Sequence, residues 1–327
     1  MAVLVTGGAG YIGSVTVEQL LAAGEEVIVL DDLSAGHRAA APASADFILG
    51  SVLDASLLRD LFSERAIDTV MHFAAFSLVG ESCADPAKYF ENNVTGSQIL
   101  LRHAAEAGVG HFILSSTASV YGHPDSVPIT EEAPARPLNP YGLSKLMTEQ
   151  MLSWYDRAYG MRHVSLRYFN AAGATKALGE DHEPETHLIP SVLDAAAGLR
   201  EFVQVYGSDY PTPDGTCIRD YIHVQDLATA HMLAMHYLGK GGPSEIINLG
   251  NSVGVSVLEV IEAVREVTGR PVRVELGERR PGDADRLVAS SEKAKGVLGW
   301  QPSKTDVEII VRDAWVWRQA HPHGYDL

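Results

Sequence analysis

Tyr141 and Lys145 sit four residues apart in Asn139-Pro-Tyr-Gly-Leu-Ser-Lys145, and together they are equipped for proton transfer. Asn139 is a good N-cap and Pro140 suits the first helical position, so the pattern predicts a helix with Tyr141 in its first turn. Lys145 then shares the face of Tyr141. A free phenol, with a pKa near ~10, is a poor base at neutral pH. A neighbouring ammonium, the positive helix end and a bound nicotinium are expected to lower that value and make Tyr141 a general base. Ser115-Ser116-Thr117 closes an apolar run. Thr117 is suited to share a hydrogen bond with a substrate alcohol. Such a trio oxidises an alcohol when a hydride acceptor stands beside it. Taken alone, the spacing also describes a surface Tyr–Lys pair, and Thr117 a β-former bonded only to backbone.

The acceptor is signalled at the start of the chain. Residues 2–6 read as a short buried strand, too short and too valine-rich for a helix. Gly7, Gly8, Gly10 and Gly13 follow, and then Val15, Val17, Leu20 and Leu21 give a helix its apolar face up to Gly24. The Gly8-x-Gly10-x-x-Gly13 spacing lets the backbone turn tightly and approach a pyrophosphate at a helix N-terminus. A second strand pattern at 27–30 runs into Asp31. A carboxylate there accepts hydrogen bonds from ribose hydroxyls and repels a 2′-phosphate, which favours NAD over NADP. The same glycines also fit a strand-turn-helix without a ligand.

Positioning these groups takes a sheet. Strand patterns at 2–6, 26–30, 46–49, 69–73, 111–115 and 163–167 alternate with helical patterns at 14–23, 56–65, 86–107 and 140–159. That rhythm predicts an α/β fold, a Rossmann-type doubly wound parallel sheet with ligands at the carboxyl ends of its strands. Beyond Asn170 the rhythm loosens, and helical patterns return at 189–197, 224–237, 257–268 and 305–319. Two of these open with capping boxes, Ser256…Glu259 and Thr305…Glu308. The expected organisation is a dinucleotide domain over 1–170 and a smaller mixed α/β substrate domain over 171–327, some of whose segments return to the first.

Composition excludes several classes. The chain has 327 residues, enough for two domains. A net charge of −17 argues against nucleic acid or an anionic membrane as partner. No run approaches the ~20 apolar residues of a membrane span, and the opening strand leaves no room for a signal peptide. Cys83 and Cys217 are the two cysteines, so a disulfide framework is absent and a cytoplasmic setting is expected. The 13 histidines show no ligand spacing, and no metal site is expected. A phosphate-bearing ligand would need arginines that create a local positive site against the overall charge.

With GGAGYIG at 7–13, HFAAFSLVGES at 72–82, SSTASVYG at 115–122, YGLSK at 141–145, RYFNAAG at 167–173, GSDYPTPDGTCIRDYIHVQD at 207–226 and RRPGDAD at 279–285, the chain resembles the extended short-chain dehydrogenase/reductase family along nearly its whole length. The likeness is to that family's nucleotide-sugar 4-epimerases. It implies bound NAD and interconversion of UDP-galactose and UDP-glucose through a transient 4-keto sugar. By that resemblance Thr117, Tyr141 and Lys145 carry the chemistry. The resemblance places NAD against Gly7, Gly10, Tyr11, Ile12 and Gly13, then against Asp31, Asp32, Leu33, Ser34, Ala35 and Gly36. Ser51, Val52, Phe73, Ala74, Ala75, Ser77, Asn92, Ser115, Tyr141, Lys145 and Phe169 complete that set. The UDP-sugar would meet Thr117, Asn170, His187, Leu188, Gln204, Tyr206, Arg219, Arg280, Asp283 and Leu287. Arg219 and Arg280 match diphosphate-binding arginines, and forked guanidinium donors suit phosphate oxygens. Asp283 matches a carboxylate on the uridine ribose.

Three positions depart from the family pattern. Gly50-Ser51-Val52 replaces an acid that holds adenine, and Ser77 replaces a lysine near the nicotinamide. Leu287 stands where stricter members carry a tyrosine, which implies room for a 2-acetamido sugar such as UDP-N-acetylglucosamine. The resemblance also implies a homodimer formed by the helices around 86–107 and 140–159. Two other activities fit the fold: a nucleotide-sugar dehydratase, and an NAD-binding regulator without catalysis. Ala118 and Ser119 stand where the dehydratases carry an acid pair.

Overall fold

The computed structural model describes residues 2–280 and 283–325. Its centre is a seven-stranded parallel sheet built from β1 (Ala2–Thr6), β2 (Val27–Asp31), β3 (Asp46–Leu49), β4 (Ile67–His72), β5 (His111–Thr117), β6 (Arg162–Tyr168) and, much later in the chain, β10 (Glu245–Leu249). The spatial order is β10-β6-β5-β4-β1-β2-β3. The order reverses between β1 and β4, and the crevice beyond their carboxyl ends is where such a sheet binds a ligand. Helices cover both faces. Alternation along β1 sends Val3 and Val5 to one core, with Val17, Leu20 and Leu227, and Ala2 and Leu4 to the other, with Leu58, Leu100 and Leu152. Burial on both faces is why these strands read as continuous apolar runs.

The first half supplies α1 (Tyr11–Ala22), α2 (Ala55–Glu64), α3 (Val79–Ala84), α4 (Pro86–Tyr89), α5 (Ser97–Glu106) and α6 (Pro140–Tyr159). The pattern over 86–107 predicts one helix, but α4 and α5 are separated by a π-helical turn, Phe90–Gly96. The cause is Asn93. Its buried side chain accepts from Phe76 N at 2.9 Å and donates to Phe76 O at 3.0 Å and Ser144 Oγ at 3.1 Å, and a widened turn lets it face inward.

The second half adds β7 (Asn170–Ala172), α7 (Leu188–Ala197), β8 (Val203–Tyr206), β9 (Ile218–His223), α8 (Val224–Gly239), β11 (Gly254–Ser256), α9 (Val257–Thr268), β12 (Val274–Gly277), β13 (Arg286–Leu287) and α10 (Val307–Ala320). The strands β7, β9, β11 and β13 form one small sheet, and β8 pairs with β12 in another. Ile189, Val192, Val260, Val264 and Ile310 gather in their own core. Between these units α8 returns to the large sheet, where Gln19 donates to the Gln225 carbonyl at 3.0 Å.

The Ser256…Glu259 capping box forms at α9. Thr305 does not cap α10. Asp306 does, accepting from Glu308 N at 2.9 Å, because Lys304 N is drawn to the Asp226 carboxylate at 2.9 Å and the turn starts later. Among the described residues, no helix is long and apolar enough to cross a membrane.

Candidate active site

Gly7 opens the turn after β1 with φ +73°, and a Cβ there would lie 2.5 Å from Ala74 N. A Cβ on Gly13 would lie 2.1 Å from the Gly7 carbonyl oxygen. The loop is thus folded on itself and against the start of the Phe73–Ala74–Ala75 segment, a packing only glycine permits. Gly10 is the N-cap of α1, which has no side-chain cap and no acidic residue in its first turn. The first-turn N–H groups of Tyr11, Ile12 and Gly13 therefore face outward as an anion site.

The buried Asp31 carboxylate accepts from Ala9 N and Leu33 N, each at 2.9 Å, and burial raises its pKa. A carboxylate has about four acceptor positions, so capacity for ribose hydroxyls remains. Gly36 closes over it: a Cβ there would lie 3.1 Å from Asp31 Oδ1. In the same loop Asp32 accepts from Ser34 N at 3.0 Å. Farther along, Ser51 Oγ accepts from Leu53 N at 3.3 Å. The side chain of Val52 is buried in the sheet core. Ser77 is exposed, and Asn92 donates to Asn93 Oδ1 at 3.0 Å.

Tyr141 lies in the first turn of α6, after the expected Asn139 cap, which accepts from Gly142 N at 2.8 Å. Its phenol lies near the Thr117 hydroxyl at the carboxyl end of β5, close enough for that hydroxyl to favour the phenolate. Lys145 is buried, and its Nζ donates to the Ser115 carbonyl at 2.7 Å. The Ser115 hydroxyl meets the Tyr168 hydroxyl. Sequence reasoning expects Lys145, the helix end and a bound nicotinium together to lower the tyrosine. In the chain itself burial raises the Tyr141 pKa, opposed by the nearby Thr117 hydroxyl, and the Lys145 ammonium is directed at a carbonyl. Burial also brings Lys145 down to about 8, against the opposing charge of Glu149.

The opposite wall is organised around β9. Asn170 on β7 pairs with Tyr221, and Leu287 on β13 pairs with Arg219. The Arg219 guanidinium donates to the carbonyls of Ile218 at 3.0 Å and Ala284 at 2.9 Å and lies 3.5 Å from Asp283. Arg280 stacks over the Tyr206 ring at 3.8 Å. Arg219 and Asp283 are thus neighbours, and Arg280 stands beside Tyr206. Phe169 and Leu287 pack against Val120, Tyr121 and Ile129. Gln204 instead donates to the Glu275 carbonyl of β12 at 3.2 Å.

His187 is the N-cap of α7, directly before Leu188. It is held protonated, at about 11, chiefly by the charge of Glu180 at 2.8 Å. Glu180, His182, Glu185 and His187 gather within a few ångströms of one another, so two of the histidines do have the ligand spacing that reading along the chain does not find. A loop, not a helix or strand period, brings them together.

The chain matches the model of the NAD dependent epimerase/dehydratase family over residues 3–250. It belongs to that family. The UDP-glucose 4-epimerase of Streptococcus mutans is 52% identical, covering 100% of this chain and 99% of that protein. A solved UDP-glucose 4-epimerase superposes with a TM-score of 0.98 at 50% identity, over 100% of both chains. The Bifidobacterium longum UDP-glucose 4-epimerase, solved in complex with NAD+ and UDP, has a TM-score of 0.93 at 39% identity, over 99% of this chain and 100% of that one. The uncapped α1 terminus, the crowded glycine turn and the buried Asp31 fit the family's NAD.

Several residues that support the site escape sequence reasoning. Glu149 accepts from Ser116 Oγ at 2.5 Å and Arg167 Nε at 2.9 Å. Its position four residues after Lys145, on the same helical face, is the one signal that could have exposed it. His72 links Thr6 at 2.7 Å to Ser97 at 2.8 Å, and burial, followed by the Lys145 charge, keeps it neutral with a pKa of about 3.

Proposed function

We propose that this chain interconverts UDP-galactose and UDP-glucose as an NAD-dependent 4-epimerase. The observation that carries the reading is the gathering of Tyr141 and Thr117 at the carboxyl end of β5, with the buried Lys145 ammonium bonded to the Ser115 carbonyl of the same strand. When bound, NAD supplies a hydride acceptor and a positive charge. Tyr141 takes the proton of the sugar 4-hydroxyl while C4 gives up a hydride, and Thr117 orients that hydroxyl. The 4-keto sugar keeps its UDP handle through Arg219 and Arg280, turns its other face, and regains the hydride and the Tyr141 proton. Atoms and electrons balance, and no cofactor is consumed. Raising the phenol by burial suits the return step, in which Tyr141 acts as the acid. The added positive charge suits the outward step.

A dehydratase would need an acid pair after Thr117, where the buried Ala118 and the half-buried Ser119 stand. A regulator without catalysis would have no use for the Tyr141–Lys145–Thr117 constellation. The half-buried Leu287 supports a pocket that also takes UDP-N-acetylglucosamine and UDP-N-acetylgalactosamine. Leu143, Met147 and Trp154 leave α6 with exposed apolar side chains, which supports a homodimer through this helix. Two free cysteines support a cytoplasmic setting.

Incubating the purified chain with UDP-galactose and UDP-N-acetylgalactosamine, separately and without added NAD, tests the reading by proton NMR. Conversion of the first to UDP-glucose supports the epimerase, and conversion of the second supports the open pocket. If neither sugar changes after NAD is supplied, the reading fails.

A further inference from the structure

The segment between β7 and α7 carries Glu180, His182, Glu185 and His187, four residues of a kind that ligates metals. His187 Nδ1 lies 2.8 Å from Glu180 Oε1 and 3.0 Å from Glu185 Oε1. His182 Nδ1 lies 3.2 Å from the same Glu180 oxygen and 3.9 Å from Glu185 Oε2. One donor atom from each residue falls within 4.8 Å of all the others. Tetrahedral zinc, with nitrogen and oxygen ligands at about 2.0–2.2 Å, separates neighbouring ligand atoms by about 3.3–3.6 Å. The four separations straddle that spacing before any side chain has moved. We infer that Glu180, His182, Glu185 and His187 form a binding site for a divalent transition-metal ion, with zinc as the best match.

The donor chemistry supports that choice. Metal binding would release the imidazolium protons, leaving two carboxylates and two neutral imidazoles with a charge of −2, which one divalent ion cancels. Imidazole selects zinc or its neighbours in the first transition row over calcium or magnesium, which prefer all-oxygen shells. Glu180 and Glu185 have side chains only 7% and 13% exposed, so unneutralised charge here would be costly. A pocket lined by Glu180, His182, Glu185, Ile189, Pro190 and Trp317 borders the cluster and offers an entry path.

Four protein ligands leave no open position, which describes a structural metal rather than a catalytic one. The place in the fold gives it a purpose. Tyr11, the first residue of α1, donates to the Gly173 carbonyl at 2.5 Å and sets its ring edge-on to His182. His187 opens α7. A metal would therefore tie together the glycine loop, the 173–187 segment and the start of α7. The site shares no residue with Thr117, Tyr141 and Lys145, but His187 also stands in the set expected to meet the UDP-sugar, so metal binding and not turnover is its readout.

Two imidazolium–carboxylate pairs could satisfy the same charges without a metal, so binding itself discriminates. The full-length chain, stripped with a strong chelator, is titrated with zinc chloride by calorimetry, with stoichiometry from native mass spectrometry. X-ray absorption then reports the ligand shell. One zinc per chain, a shell of nitrogen and oxygen with imidazole scattering, and at least 100-fold weaker binding to the His182→Gln/Glu185→Gln variant are expected. Zinc should also raise the thermal midpoint of the unmodified chain and leave that of the variant in place. Cys83→Ser, which removes the exposed cysteine, should bind as the parent does. Absence of zinc binding overturns the inference, as does sulfur in the shell or equal binding by the double variant. Should that variant fail to fold by circular dichroism, the ligand shell of the unmodified chain decides.

Discussion

Lys145 Nζ donates to the main-chain carbonyl of Ser115 at 2.7 Å, fastening α6 to the last residues of β5. Tyr141, one turn earlier on α6, is thereby set against Thr117, two residues later on β5. Each partner of the proton-transfer pair is held by a second contact between the same two elements.

The lysine's protonation makes a pH prediction with a definite sign. Burial brings Lys145 to about 8 in the folded chain, below an ordinary lysine near ~10.4. Between those values the unfolded chain binds more protons than the folded one, so this residue makes stability rise with pH across that window. Lys145→Met should lack that rise. Urea midpoints at pH 7 and pH 10 for parent and variant, compared as a double difference, check it.

Removing the phenol hydroxyl removes the acid and base of the proposed reaction. Tyr141→Phe should lower kcat by about 10²–10⁴-fold, the usual worth of a positioned proton donor, with KM nearly unchanged. Steady-state kinetics with UDP-galactose measures both. An effect confined to KM would assign Tyr141 to binding instead.

Among the glycines, Gly13 and Gly80 form a controlled pair. A Cβ on Gly13 would strike the Gly7 carbonyl oxygen at 2.1 Å, whereas Gly80 has nothing within 4 Å of its hypothetical Cβ. Gly13→Ala should lose bound NAD, and overpacking should destabilise the chain by about 1–3 kcal/mol. Gly80→Ala should retain cofactor. Cofactor content after denaturation and thermal midpoints separate the two.

The two arginines proposed to bind the diphosphate differ in how they are held. Arg219 is fixed by two carbonyls and Asp283, while Arg280 rests on the Tyr206 ring. Losing a charge-assisted hydrogen bond of about 1.5–3 kcal/mol predicts a KM for UDP-galactose raised about 10- to 100-fold in Arg280→Ala. Tyr206→Ala should reproduce a smaller part of it by freeing the guanidinium.

The Glu149–Arg167 ion pair is the most deeply buried in this part of the chain, with side chains 2% and 5% exposed. Glu149→Ala leaves an uncompensated guanidinium and should cost about 3–5 kcal/mol. Glu149→Leu combined with Arg167→Met should cost much less. Urea denaturation of the three chains checks the ordering.

The sequence by itself determined what is encoded over short range. The β1–glycine–α1 cradle, Asp31 at the end of β2 and the Asn139-Pro140 start of α6 each depend on neighbours a few residues apart, where local sterics and hydrogen bonding decide. Alternating strands and helices likewise made the doubly wound sheet legible through its first six strands. Family motifs, not periodicity, pointed to Arg219, Arg280 and Asp283.

Tertiary structure alone decided the rest. The strands β7, β11 and β13 have two or three residues, too few for any period to register, and they form because β9 offers them backbone partners. The π-helical turn exists because Asn93 must reach Phe76 and Ser144. In the chain by itself the Tyr141 pKa is raised because burial is a property of the whole fold, while a carbonyl thirty positions away along the chain accepts from the Lys145 ammonium. The Glu–His cluster before α7 became visible only when a loop without regular repeat closed on itself. Charge, solvation and metal-ligand spacing act through space, and only the fold supplies that space.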